Sequence, residues 1–217
     1  LIYDQIIEDL TFAEEHLPLR SEYSASDEGR INKGAAKILF GKVYLTKGDF
    51  QKAKDKLAEV VEHESEYGFG LHKDYHANWL RDTEAGIEAV LYIEYKEPPF
   101  QHNGEMALAG PKYSIPGSLG ISALNEADIP TQELYDQFDN RDLRKKTNFK
   151  TEFAHLKTGE ILKSSIPLSG KFWVEGLETG DRCDVNMHII RYADAILMYA
   201  EALNEVGKST KALAMLN

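Results

Sequence analysis

The sequence predicts a mainly α-helical fold, in which tetratricopeptide-like helix pairs carry long irregular loops and little β structure. One observation is a spacing that occurs twice, as Gly41, Tyr44, Gly48, Ala53, Leu57 and as Ala200, Leu203, Gly207, Ala212, Leu216. Each set describes a helical hairpin, with a small residue at the helix contact, a glycine at the turn, and an alanine and a leucine on the second helix. A second observation is residues 191–207, which are apolar around most of a helical circumference and therefore predict a helix buried between neighbours.

Residues 1–66 are predicted to form the first helical repeat part. Residues 1–18 indicate the second helix of another pair, with Ile6, Leu10 and Ala13 facing inward and Pro18 preventing its continuation. Asn32 is the expected N-cap of a helix over residues 33–47, and Gly48 provides its left-handed exit. Asp49 is then expected to cap a second helix that runs to about Glu64.

Residues 67–188 are predicted to be a loop-rich part, and residues 189–217 a closing helical repeat. Within the middle part, residues 87–95 are the best strand candidate. Residues 98–130 are rich in proline and glycine, and residues 130–134 open a short helix. Residues 149–180 are predicted to be irregular, with an extended piece at residues 171–174.

Composition excludes several classes of protein. The 217 residues are 42% hydrophobic and 28% charged, which is typical of a globular chain, and the formal net charge of −11 disfavours nucleic acid as a partner. No apolar stretch reaches the length of a membrane span, and the single cysteine, Cys183, excludes an intrachain disulfide. Both ends fall within amphipathic patterns, so we expect the chain to be a segment of a longer protein.

The long loop at residues 98–130 is the predicted ligand surface, because a connection of this length in a compact domain is usually functional. Aromatic faces can stack on an apolar ligand face while amides, carboxylates or arginine bind its polar groups. The candidate ligand-binding residues are Phe100, His102, Asn103, Tyr113 and Trp173. The alternative for each aromatic residue is that it anchors its segment to the core.

Metal binding and catalysis find less support in the sequence. His72 and His76 have a helical ligand spacing but no third ligand, and the acids at residues 136–142 lack a calcium-loop pattern and are expected to pair with Arg141 and Arg144. A glycosidase needs two opposed carboxylates, and the acids of the middle part are as easily solvent-facing: Glu84, Glu88 and Glu94.

Several segments together resemble the SusD/RagB family, the surface glycan-binding lipoproteins of Bacteroidetes. The matching pieces, in chain order, are GRINKGAA (29–36), KVYL (42–45), GDF (48–50), EAVLYIEY (88–95), PTQEL (130–134), DNRD (139–142) and RYADAILMYAEA (191–202). The family's lipid-anchoring cysteine and N-terminal region are absent from these 217 residues, as is its C-terminal end.

The resemblance implies a single SusD/RagB-like domain segment over residues 1–217, with a tetratricopeptide-like α/α superhelical scaffold. It implies binding of oligosaccharide or polysaccharide without catalysis, metal or cofactor, at the outer-membrane surface and in complex with a SusC-like TonB-dependent transporter. Two alternatives remain open: a helical-repeat adaptor that binds another protein, and a glycan-active hydrolase. An adaptor would devote most of its length to regular repeats, whereas a hydrolase would release reducing ends.

Overall fold

The computed structural model describes residues 2–96, 104–115 and 117–216, and the mainly helical fold class is confirmed. The chain divides into two compact units. The first unit comprises Leu1–His72, Ala85–Tyr92 and His188–Asn217, and the second unit comprises Lys73–Glu84 and Ile93–Met187. The organisation as a single domain stays a prediction.

Most elements along the described residues are helices, with a few short strands and 3-10 turns between them. In chain order they are α1 (Ile2–His16), α2 (Lys33–Lys47), α3 (Phe50–Val61), α4 (Glu64–Tyr67), β1 (Ala89–Ile93), α5 (Glu105–Ala109), α6 (Gln132–Gln137), α7 (Arg144–Asn148), β2 (Phe149–Ala154), β3 (Ile161–Ser169), β4 (Met187–Arg191), α8 (Tyr192–Glu205) and α9 (Ser209–Met215).

The first predicted hairpin is confirmed as α2 and α3. The Asn32 side chain accepts the N–H of Ala35 at 3.1 Å, and Gly48 ends α2 in the left-handed region with φ of 76°. Asp49 occupies the predicted N-cap position of α3, but its side chain makes no capping hydrogen bond and lies instead 3.7 Å from Lys47 Nζ. The second helix also ends at Val61, before the predicted boundary.

The second predicted hairpin is confirmed as α8 and α9, with Gly207 at φ of 77° between them. Helix α8 packs against α2, α3 and α9, so it is buried between neighbours as predicted. In the same unit, α1 packs against α2. The rings of α8 at Tyr192 and Tyr199 are fully buried, and their hydroxyls donate to Glu64 and Glu62 at the edge of the core. Leu216 differs from the prediction, since it follows the end of α9 and is 56% exposed.

The predicted strand is β1, and it pairs with β4 in a two-stranded sheet. Glu88, directly before β1, is only 4% exposed, so the prediction that it faces solvent is wrong. Its carboxylate forms an ion pair with Arg191 and accepts the N–H of His72 at 3.2 Å. Burial is tolerated because the charge has these partners.

The second unit contains an antiparallel pair of strands, β2 and β3, with a register shift between Lys150 and Glu152. The prediction that residues 149–180 are irregular is wrong for these strands. The predicted extended piece at residues 171–174 is not a strand, since Lys171 and Phe172 lie in a turn. Phe153 and Leu168 are the strand residues that bury their side chains in one cluster with Ile115, Leu119 and Leu124. The β structure was missed because β2 buries only Phe149 and Phe153, four residues apart, and serines interrupt the apolar positions of β3.

A second cluster of this unit contains Trp79, Met106, Cys183 and Val185. Beside it in sequence, Glu84 is only 5% exposed and accepts the N–H of Asn186 at 2.9 Å, so its predicted solvent exposure is wrong. Burial raises the pKa of this carboxyl to about 7. Glu94 is exposed, as expected.

Glu84 should make stability depend on pH. Because its folded pKa of about 7 lies above the usual glutamate value of 4.5, the protein loses stability as pH rises from 4.5 through 7. A Glu84→Gln variant cannot ionise, so at about pH 8 its free energy of unfolding should exceed that of the parent by about 1–3 kcal/mol. Below about pH 4.5 this advantage should vanish.

Urea unfolding followed by tryptophan fluorescence measures this effect, since both tryptophans, Trp79 and Trp173, lie in the second unit. Glu94→Gln is the matched control, and its difference from the parent should not change with pH in the same way. A Glu84→Gln variant that is less stable relative to the parent at about pH 8 than at about pH 5 would contradict the assignment.

Candidate functional site

The five predicted ligand-binding residues divide into those the structure describes and those it does not. Phe100, His102 and Asn103 lie outside the described residues. Tyr113 and Trp173 both lie in the second unit. Their surroundings differ, and each ligand role stays a prediction.

Tyr113 lies on a turn that is fixed by one carboxylate. Oε1 of Glu126 accepts the backbone N–H groups of Lys112 at 2.8 Å, Tyr113 at 3.0 Å and Ser114 at 2.7 Å. Burial disfavours the charged form of Glu126, but hydrogen bonds from the same three residues outweigh it and hold its pKa below the usual value. Glu126 itself adopts a left-handed φ of 52°, a conformation uncommon outside glycine, which these bonds stabilise.

Within the second unit, backbone hydrogen bonds and buried apolar contacts hold the chain on both sides of this turn. The N–H of Asn125 donates to Ala107 O at 2.8 Å, and the N–H of Glu126 donates to Gly110 O at 3.1 Å. A Cβ on Gly110 would lie 2.4 Å from Leu124 Cδ2, so only glycine allows this approach without a shift. The described part of the predicted loop is therefore anchored by apolar residues while its turn faces solvent.

The Tyr113 ring is 76% exposed, although it follows a buried anchor within two residues. Lys112 Nζ lies 5.2 Å from the ring centroid and covers part of one face. Next to this turn is a shallow recess of about 570 Å³, open to solvent and lined by Pro111, Lys112, Ile115, Gly117, Ser118, Leu119, Ile121, Ala123 and Leu124. An exposed ring on a fixed turn beside a recess can stack on an apolar ligand face without first being ordered.

Trp173 is partly buried. Its ring meets Phe153 edge to face at a centroid distance of 4.7 Å and packs against both apolar clusters of the second unit. Its Nε1 is buried and has no hydrogen-bond partner among the described residues. This packing favours the anchoring alternative for Trp173, since less of its ring is available to a ligand than at Tyr113.

Neither metal-binding nor membrane-spanning features are evident in the part of the chain that the structure describes. Across residues 2–96, 104–115 and 117–216, His, Cys, Asp and Glu side chains form no group of three that could hold a metal ion. In the same ranges, every helix is too short or too polar to span a bilayer. The predicted pairing of Arg141 with Asp139, at 2.9 Å, and of Arg144 with Asp142, at 2.6 Å, is confirmed.

The sequence alone did not single out Glu126. Its role depends on a left-handed backbone and on three N–H groups 12 to 14 residues earlier in the chain. An acid within a proline- and glycine-rich segment is a weak signal, because most such acids are solvated.

Comparison with known proteins identifies the fold. The family model described as the SusD family matches residues 167–217. A SusD-like protein P2 from Formosa agariphila is 28% identical over the whole chain, which covers 45% of that protein. A SusD-like protein from Bacteroides ovatus is 22% identical over 93% of this chain and 40% of its own length. The chain thus spans about half the length of the curated relatives it matches.

Solved structures with a similar fold come from the same group of proteins as these relatives. A SusD superfamily protein from Parabacteroides distasonis superposes with a TM-score of 0.78 and 25% identity, over 98% of this chain and 48% of that one. Surface glycan-binding protein A from Bacteroides thetaiotaomicron, solved in complex with laminarihexaose, superposes with a TM-score of 0.76 and 18% identity, over 99% of this chain and 52% of that one. Together with the helical hairpins, these matches show that the chain has the fold of SusD superfamily proteins and is similar to members of the SusD/RagB family.

Proposed function

We propose that this protein binds oligosaccharide or polysaccharide nutrient at the bacterial cell surface, without catalysis, and delivers it to a SusC-like TonB-dependent outer-membrane transporter. The observation that carries the proposal is the exposed Tyr113 ring on the turn fixed by Glu126. Support comes from family members that bind glycans, including the relative solved with laminarihexaose and another described as a laminarin-binding SusD-like protein.

Tyr113 supplies the stacking face in this proposal. Its ring offers an apolar surface to the C–H face of a pyranose, and its hydroxyl lies at the rim where sugar hydroxyls are solvated. Phe100, His102 and Asn103, which precede Tyr113 in the same segment of the sequence, are further candidate contacts, whereas the packing of Trp173 favours an anchoring role. Because one stacked ring contributes little free energy, affinity for a single sugar should be weak, and several contacts along an oligosaccharide should be needed.

Similarity to SusD-like proteins supports the proposed location at the outer-membrane surface, through a lipid anchor outside these 217 residues, and the proposed transfer to the transporter. Absence of catalysis is consistent with the described carboxylates. Glu84 has a raised pKa, but it is 5% exposed and engaged by a backbone N–H. A glycosidase acid must reach a glycosidic oxygen, with a second carboxylate across a cleft.

The first binding prediction concerns Tyr113. Replacing it by alanine removes the stacking face, so affinity for a bound glycan should fall by about fivefold to tenfold, the equivalent of roughly 1 kcal/mol. Tyr113→Phe should keep most of the affinity, because the ring remains. The measurement is affinity gel electrophoresis against a panel of polysaccharides that includes laminarin, with titration calorimetry on those that retard the protein.

Phe12→Ala in α1 is the matched control, since this ring is also exposed, at 63%, but belongs to the first unit. Its retardation should equal that of the parent. If every glycan that retards the parent retards Tyr113→Ala equally, the site assignment is wrong even if the function is right. Release of reducing ends from a polysaccharide would favour the hydrolase instead, and binding of no glycan would leave the adaptor.

A further inference from the structure

We propose that a basic recess in the second unit binds an anionic sugar residue, one that carries a carboxylate or a sulfate ester. This inference rests on the proposed function and adds a second contact site with a defined chemistry. The basic recess lies between α6, α7 and β2, and its lining includes Tyr135, Asn140, Lys145, Lys146, Phe149 and Lys150. Its volume of about 450 Å³ is within the size range of small-ligand sites, and it is open to solvent.

The charges at this recess do not cancel. Lys150 is paired with Glu175 at 2.8 Å, and Glu152, the acid of the lining, is paired with Lys163 at 3.1 Å. Among the residues that the structure describes, no carboxylate is paired with Lys145 or Lys146. Two positive charges therefore remain at one recess of a chain whose formal net charge is −11.

Neighbouring arginines do not account for this excess. Arg141 is neutralised by Asp139 and Arg144 by Asp142, each through hydrogen bonds within the same turn. Their pairing leaves Lys145 and Lys146 as the residual positive charge of the segment between α6 and β2. Because a phosphate backbone requires many such charges in a row, this patch is suited to a short anionic group rather than to nucleic acid.

Lys145 is held in one position by neutral partners. Its Nζ donates to the carbonyl of Phe138 at 2.9 Å and to Asn140 Oδ1 at 3.1 Å, and lies 4.4 Å from the centroid of the Tyr135 ring. An ammonium has three N–H donors, so one remains for an incoming anion. Asn140, whose oxygen accepts from Lys145, keeps its amide N–H groups as further donors.

An aromatic wall accompanies these donors. The Tyr135 ring meets Phe149 edge to face, with a centroid distance of 5.3 Å and an angle of 88°, and Phe149 is 8% exposed. Tyr135 is thereby fixed while it remains half-buried at the recess. A fixed aromatic residue beside ammonium and amide donors matches a sugar ring that has one apolar face and one anionic substituent.

The test compares three oligosaccharides by titration calorimetry: an oligogalacturonate for the carboxylate, a carrageenan oligosaccharide for the sulfate ester, and laminarihexaose as the neutral probe. Lys146→Gln should weaken binding of at least one anionic probe by about twofold to fivefold, the range expected for one exposed ion pair. Adding Lys145→Met should bring the loss to roughly tenfold. Because Lys146 is exposed, Lys146→Gln should leave folding intact. Lys157→Gln is the matched control, since Lys157 is also exposed but lies outside the recess.

Raising the salt concentration from about 0.05 to 0.5 M should weaken binding of the anionic probe and leave binding of laminarihexaose nearly unchanged. Comparison of the two anionic probes shows whether the carboxylate or the sulfate is preferred. Inorganic sulfate alone should compete only weakly, and equal competition per anion would overturn the assignment to a sugar.

Other results would separate the two proposals. Tyr113-dependent binding of laminarihexaose, with no anionic probe sensitive to Lys146, would overturn the basic recess and leave the proposed function standing. Binding of an anionic probe that Lys145 and Lys146 do not affect would also overturn it. Binding of no saccharide at all would contradict both the recess and the proposed function.

Discussion

Leu57→Ala should lower the free energy of unfolding by about 3–5 kcal/mol, because the truncated side chain leaves a cavity at the centre of the first hairpin. Leu57 is 0% exposed in the core formed by α2, α3 and α8. It lies directly against Gly41, where an added Cβ would come within 2.4 Å of Leu57 Cγ. Far-ultraviolet circular dichroism during urea unfolding measures the effect, since the first unit contains the long helices.

The same contact predicts how a second change combines with the first. Gly41→Ala alone should overpack the helix contact and destabilise the protein by about 1–3 kcal/mol. In the double variant the new methyl group enters space that Leu57 has left, so the total loss should be smaller than the sum by about 1 kcal/mol or more. Simple additivity would show that the glycine is not required by this contact.

Leu216→Ala is the matched control, because Leu216 occupies the corresponding position of the second hairpin but is 56% exposed. Its cost should stay within about 0.5 kcal/mol. A loss at Leu216 comparable to that at Leu57 would mean that sequence position in the repeat, rather than burial, determines the energetics.

The hairpins could be predicted because their signals are local. Asn32 and Gly48 lie within one turn of the backbone groups they satisfy, and the Gly41 to Leu57 contact follows from a spacing within one helix pair. The exposure of Leu216 could not be predicted in this way. It depends on what packs over the second helix, which the repeat spacing does not determine.

The β structure and the site depend on contacts that are distant in sequence. Strand β1 was recognised from its apolar residues, but its partner β4 begins almost a hundred residues later, and no local pattern connects them. The buried positions of β2 and β3 are Phe149, Phe153, Pro167 and Leu168, and their spacing does not give a clear alternation. The turn at Tyr113 similarly depends on Glu126, whose left-handed backbone has no sequence signature.

The buried ion pair of Glu88 and Arg191 is another long-range contact, and it joins two of the segments that resemble the family. Glu88 precedes β1, and Arg191 is the residue directly before α8, whose first N–H, that of Tyr192, donates to Glu88 O at 2.8 Å. The Glu88 side chain is 5% exposed and that of Arg191 is 26% exposed, so water solvates this pair poorly. The pair therefore fixes the start of the central helix against the sheet.

Arg191→Met should lower the free energy of unfolding by about 3 kcal/mol, because it leaves the Glu88 carboxylate buried without its cationic partner. A double variant that adds Glu88→Gln should recover part of this loss, since the remaining group is neutral and still accepts the N–H of His72. Urea unfolding followed by far-ultraviolet circular dichroism measures all three variants. Lys163→Met is the matched control, because it breaks the exposed ion pair with Glu152 and should lower the free energy of unfolding by less than about 0.5 kcal/mol. An equally small loss in Arg191→Met would show that the Glu88 carboxylate does not need its cationic partner.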